Sequence, residues 1–290
     1  MASETPETDR PEIAVIGGSG FYTFLDDAYD VHVETPYGPP SAPVSVGTVD
    51  VADRTGATAP RPVAFLPRHG RGHEFPAHRV NYRANMWALR SLGVRQVLAP
   101  CAVGGLRPDL GPGTLVVPDQ LVDRTAGRTQ TYFDSGACHI AFADPYCPRL
   151  RTALLDGLGG DGGRGGGSAR SGLRDGGAMV VIAGPRFSTR AESQWYAAQG
   201  WSLVGMTGHP EAVLARELEL CYASVALVTD LDAGIDADSA VSQDKVFEVF
   251  AEHIDLLRDR LRGVAAALPR ERVCDCSEAL AGMTVPVQLP

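Results

Sequence analysis

The chain reads as an α/β protein built on a largely buried sheet. Short apolar, β-prone runs alternate with amphipathic stretches of helical period along most of its length. The runs end in turns that carry glycine, arginine or aspartate, the pattern of strands that deliver ligand groups at their carboxyl ends. Of 290 residues, 44% are hydrophobic, enough for a full core.

Taken in order, Ile13 to Ile16 is a first strand that ends in Gly17-Gly18-Ser19-Gly20. Pro62 to Pro67 is a second and runs into Arg68-His69-Gly70. Asn81 to Leu92 predicts a helix, with Met86, Trp87, Leu89 and Leu92 on one face. Val94 to Ala99 predicts a strand that closes in a turn at Pro100-Cys101-Ala102-Val103-Gly104-Gly105. Strands follow at Thr114 to Pro118 and Met179 to Ala183, and helices at Ala191 to Gln199 and Pro210 to Leu220. The run Tyr222 to Leu227 is a buried strand leading into Val-Thr-Asp-Leu-Asp-Ala-Gly (228–234), and Val246 to Leu268 is a long amphipathic helix. Gly157 to Gly177 interrupts the pattern: with almost no apolar residues it cannot offset its ordering entropy, and a mobile surface loop is expected. No internal repeat is visible.

The net charge of −9 and pI near 5.2 argue against nucleic acid or an anionic membrane as the main partner. An anionic small ligand stays possible, since it needs only a local set of donors. The polar N-terminus has no apolar signal core and no later stretch would span a bilayer, so a cytoplasmic protein is expected. The six cysteines are scattered, and none pairs with histidines at zinc-finger spacing, so no structural metal is expected. Cys274-Asp275-Cys276, the one close pair, reads as surface or tail chemistry.

Asp230 and Asp232 are the most informative residues. A carboxyl at a strand end can bind and protonate a nitrogen heterocycle once burial raises its pKa. Taken alone they are as readily solvated loop acids or a helix cap. The Gly17 to Gly20 turn offers backbone N–H groups and the Ser19 hydroxyl to an oxyanion. It matches neither a dinucleotide fingerprint nor a Walker loop, and by itself is a turn. Arg68 supplies a guanidinium fork and His69 a further donor, against the ordinary reading of Arg68 as a surface ion pair. Together with the Pro100 to Gly105 turn, these corners can converge on one anion.

Several motifs carry a resemblance. Ile-Gly-Gly-Ser-Gly-Phe (16–21), Pro-Arg-His-Gly-Arg-Gly-His (67–73), Val-Asn-Tyr-Arg-Ala-Asn-Met-Trp-Ala-Leu (80–89) and Asp-Gln-Leu-Val-Asp-Arg-Thr (119–125) are four of them. Gly-Pro-Arg-Phe-Ser-Thr-Arg-Ala-Glu-Ser (184–193), Met-Thr-Gly-His-Pro-Glu-Ala (206–212) and Thr-Asp-Leu-Asp (229–232) complete the set. The chain resembles the methylthioadenosine phosphorylases, of the trimeric branch of purine nucleoside phosphorylases. The resemblance implies one three-layer domain over residues 12–268, with helices flanking a central mixed sheet. A tail at 269–290 would reach toward a neighbouring subunit.

It also implies roles. Ser19, Arg68, His69, Cys101, Ala102 and Thr207 fall at phosphate-binding positions. Phe187 and Met206 fall against base and ribose, with Ser188 at a specificity position. Asp230 and Asp232 would read the purine's N7 and 6-amino group, Asp230 as the catalytic acid. Val246 and Phe247 keep the 5′ pocket apolar, and His139 would cross to a neighbour's 5′ pocket in a homotrimer or hexamer. Phosphate is then a co-substrate, with no metal or organic cofactor. Three positions depart from the family: Cys101 replaces a common Thr, and Gln243 and Gln288 stand where apolar residues are usual. Gln243 reads equally as an exposed residue at a helix start. His73 and His209 have local structural readings only, and for Glu211 a dipole-matched helix start competes with catalysis. The expected activity is phosphorolysis of 5′-methylthioadenosine, or of adenosine, 5′-deoxyadenosine, a 5′-halogenated analogue or inosine. A hydrolytic nucleosidase and a non-catalytic nucleoside-binding protein are the other classes.

Overall fold

Neighbouring residues of the central strands serve opposite helical layers. The computed structural model describes residues 10–52, 58–159, 172–233 and 243–290. Its strands are β1 (Ile13–Gly17), β2 (Tyr29–Val31), β3 (Val44–Ala52), β4 (Thr58–Pro67), β5 (Gln96–Gly105), β6 (Leu115–Val117), β7 (Gln120–Arg124), β8 (Leu173–Asp175), β9 (Ala178–Ile182), β10 (Leu203–Gly205) and β11 (Cys221–Leu231). The helices are α1 (Tyr82–Ser91), α2 (Pro148–Gly159), α3 (Arg190–Ala198), α4 (Gly208–Glu217) and α5 (Gln243–Ala267). In β1, Ile13 and Val15 join one core cluster while Ala14 and Ile16 join the other; Val63 and Phe65 alternate with Ala64 and Leu66 in β4. The first cluster is closed by Leu150, Leu154 and Leu158 of α2 and by Phe250, Leu257 and Leu261 of α5. The second is closed by Met86, Trp87 and Leu89 of α1 and by Leu214 and Ala215 of α4. The result is the three-layer α/β architecture, with a mixed sheet: β4–β1–β5 and β5–β11 are parallel, whereas β3–β4 and β5–β10 are antiparallel.

β5 organises the sheet. β11 runs beside it from Gln96 to Gly105. On its other edge β1 is paired only as far as Leu98, and β10 joins only at Gly104. Residues 99–103 therefore border a gap between two partner strands. The expected turn at Pro100 to Gly105 is corrected here: these residues are strand. A residue in a strand directs its N–H and C=O to the same edge, and the Pro100 carbonyl accepts from Arg68 Nη1 at 3.3 Å. Its missing donor thus faces the gap, where no ladder bond is lost.

The expected loop at Gly157 to Gly177 is also corrected at both ends. Gly157 lies in α2, where a Cβ would stand 2.3 Å from Val264 Cγ2, so only glycine lets α2 and α5 approach this closely. Leu173–Asp175 forms β8 and pairs with β6. Residues 160–171 lie outside the described residues. Helix α2 and strands β2, β3, β7, β8 and β10 are additions to the sequence reading. Among the described residues, no helix is long and apolar enough to cross a membrane. In the tail, Val287 and Leu289 pack on the chain's own α1–α4 cluster.

Candidate active site

The β5 gap opens into a cavity of about 320 Å³. Ser19, Arg68, His69, Cys101, Ala102, Thr207, Phe187, Ser188, Met206, Asp230, Asp232, Val246 and Phe247 all line it, so the distant corners meet around one cleft. His139 is exposed and is not among the lining residues, and the Gln243 side chain lies outside the described residues.

Arg68 enters from the end of β4 and is buried to 1% exposure. Its Nε and Nη2 face the two oxygens of Glu211, with Nη2–Oε2 at 3.0 Å, while Nη1 turns to Pro100. Tyr222 Oη donates to Glu211 Oε2 at 2.9 Å. Burial opposes the guanidinium charge, but Glu211 more than offsets it and holds Arg68 ionised above its ordinary range. Glu211 is thus a buried clamp, where a solvated acid at a helix start competed in the sequence. Gly18 is required beside it: a Cβ there would lie 2.9 Å from Arg68 Nη1 and 3.1 Å from the Pro100 oxygen.

His69 donates from Nδ1 to the Phe75 carbonyl at 2.8 Å. Burial first, then the Arg68 charge, lowers its pKa to about 3. The ring is neutral, and with its proton spent on Phe75 its Nε2 is an acceptor. The sequence reading expected a donor here; with Nδ1 committed to Phe75, the nitrogen left over is an acceptor. His73 stacks on His69 with centroids 4.5 Å apart, meets Phe247 edge-on at 6.1 Å and shares a hydrogen bond between its Nδ1 and Tyr22 Oη at 3.0 Å. It lines the cavity, which corrects its purely local reading, and its φ of 59° is unusual for a residue with a side chain. His209, outside the lining, bonds Gln130. Thr207 precedes α4 without capping it through its hydroxyl, which leaves that group to the cavity.

At the far end of β5, a bulge in β11 sets the acids. Val228 pairs with Val103 and Asp230 with Gly104, so Thr229 is the extra residue. Thr229 Oγ1 lies 3.2 Å from the Val103 carbonyl and 2.8 Å from Asp230 Oδ2. Asp232 is 2% exposed and accepts from Ser193 of α3 on Oδ2; burial raises its pKa, against the hydrogen bond from Ser193. Cys101 packs its sulfur 3.4 Å from Ser224 Oγ, and burial raises its pKa, so it is an inert thiol. Among the described residues, a group able to hold a metal lies elsewhere. Cys147, Cys221, Cys274 and Cys276 gather their sulfurs within 4.8 Å of one another, which corrects the reading of Cys274 and Cys276 as tail chemistry.

Comparison with known proteins agrees with this geometry. The family model described as "Phosphorylase superfamily" matches residues 12–268. The chain is 56% identical to a purine nucleoside phosphorylase of Streptomyces coelicolor, over 97% of this chain and 98% of that one. It is 58% identical to an S-methyl-5′-thioadenosine phosphorylase of Mycolicibacterium smegmatis, over 96% and 99%. A methylthioadenosine phosphorylase from Schistosoma mansoni, solved with adenine, superposes with a TM-score of 0.82 at 36% identity, over 93% and 96%. The chain belongs to the phosphorylase superfamily, among its purine nucleoside and methylthioadenosine phosphorylases.

Proposed function

We propose that the protein cleaves 5′-methylthioadenosine with inorganic phosphate, giving adenine and 5-methylthioribose 1-phosphate. One observation carries this reading: Arg68 and Asp230 share a cavity along one strand. Arg68 meets β5 at Pro100 and Asp230 meets it at Gly104, four residues further and about 13 Å along the strand, a span suited to an anion at one end and a purine at the other.

The C1′–N9 bond breaks first, and a phosphate oxygen then attacks C1′. The bond's electron pair leaves with the purine, whose N7 takes a proton delivered through Asp230. Bound phosphate stabilises the cationic sugar between the two events. Arg68, the Gly18–Ser19 backbone and Thr207 hold the phosphate. Asp232, one oxygen committed to Ser193, reads the 6-amino group, since a carboxylate accepts what an amino group donates. Phe187 and Met206 cover base and ribose, and His73, Val246 and Phe247 surround the 5′ substituent. The atoms balance with phosphate as the only co-substrate. A cytoplasmic homotrimer, with His139 and Gln288 approaching a neighbour's pocket, accompanies this reading; light scattering tests the assembly.

Adenosine phosphorolysis is the second reading, favoured by polar Gln243 and Gln288 in this chain. Methylthioadenosine, 5′-deoxyadenosine, adenosine and inosine, each assayed with and without phosphate, test both. Methylthioadenosine is expected to show the highest kcat/KM and inosine the lowest, with base release only when phosphate is present. Preference for adenosine would establish the second reading, and base release without phosphate would overturn both.

A further inference from the structure

Four cysteines from three distant parts of the chain meet beneath the sheet. Cys147 precedes α2, Cys221 opens β11, and Cys274 and Cys276 flank the start of a short 3-10 turn after α5. Cys147, Cys221 and Cys276 are buried and Cys274 is half-buried. Cys274 Sγ lies 3.7 Å from Cys147 Sγ and 3.4 Å from Cys221 Sγ, and all four sulfurs fall within 4.8 Å of one another. All are free thiols.

We propose that these residues form a tetrahedral thiolate site for a thiophilic divalent cation, zinc foremost, that fastens the C-terminal segment to the sheet. Four sulfurs at about 2.3 Å from zinc stand about 3.8 Å apart, close to the separations seen here, whereas a disulfide needs about 2.05 Å. Four ligands without a gap for water make a structural site, closed to substrate. Each ligating thiol releases its proton, so four thiolates and zinc leave two negative charges, and the Arg149 guanidinium offsets one of them from beside Gln96, the residue paired with Cys221 across β5 and β11. Arg149 Nε and Nη1 are buried with no hydrogen-bond partner, and its Nη2 is held by Gln96 Oε1, so the cation is fixed beside the sulfurs.

The site lies apart from the catalytic cavity. Cys221 and Asp230 stand nine residues apart on β11, about 30 Å along an extended strand. Its role follows from what it joins. After α5 the chain passes Cys274 and Cys276 before Val287 and Leu289 reach the α1–α4 cluster, so the metal fixes where the tail departs.

The test uses the full-length protein expressed with added zinc and purified under reducing conditions. Elemental analysis is expected to find about one zinc per chain after dialysis. Replacing it with cobalt is expected to produce sulfur-to-cobalt charge-transfer absorption. The C274S/C276S double variant should lose the metal, melt at lower temperature and release its tail to proteases. Should that variant not fold, zinc content and the cobalt spectrum of the unaltered protein decide. Metal-free protein with four titratable thiols at this cluster would overturn the proposal, as would a disulfide among these cysteines in protein never exposed to oxidant.

Discussion

Arg68 reaches the cavity already paired. Glu211 takes the Nε–Nη2 edge of the guanidinium, and Tyr222 braces Glu211, so the plane of the cation is set before any anion arrives. Both partners are 1% exposed, and neutralising one strands the other in low dielectric. Glu211→Gln is therefore expected to cost about 3–5 kcal/mol, read as a lower urea midpoint, and to raise the KM for phosphate. Asp230 tests the other end. Asp230→Ala should keep its melting temperature close to that of the parent while kcat falls by about 10²–10⁴-fold. Near-normal turnover in that variant would remove Asp230 from the leaving-group step. Arg68 and Asp230 were visible in the sequence because each follows an apolar run. Glu211 was not, since an acid opening a helix looks the same whether it meets solvent or a buried guanidinium.

The bulge at Thr229 decides where Asp230 points, because alternate residues of a strand face opposite ways. Deleting Thr229 restores regular pairing and is expected to lower kcat as far as Asp230→Ala does, with adenine release as the readout. Most helices and the central strands could be read from apolar period alone. Helix α2 carried the same signal, in Leu150, Leu154 and Leu158, but the neighbouring glycine run concealed that the helix reaches Gly159. β5 was cut short at Pro100 because a proline argues against a central strand; only the gap left by β1 and β10 makes it tolerable. The four-cysteine cluster escaped for another reason. Ligand spacing exposes a metal site when the ligands share a loop, and here the residue before α2, the start of β11 and the tail each contribute.

Stability across pH follows from the histidines buried without charge. His69 titrates near pH 3 against an ordinary 6.5, chiefly through burial, and burial also lowers His73 and His209. The unfolded chain therefore binds more protons between these values, and the fold weakens as pH falls through that window. For His69 the slope is up to about 1.4 kcal/mol per pH unit. Asp232, shifted upward by burial, works in the opposite direction above its ordinary 3.8. Urea midpoints at about pH 7 and about pH 5 should show lower stability at the acid end. The split beside β5 has a mechanical consequence. Residues 99–103 have a neighbouring strand on one side and a slot on the other, so the sheet is locally one rung short. Under the proposed function, an oxyanion seated there would substitute for the absent ladder and knit the two halves together. Amide exchange at Ala102, whose N–H faces the slot, should slow on adding phosphate by a larger factor than in β3, across the sheet; equal slowing everywhere would mean that the anion only shifts global unfolding.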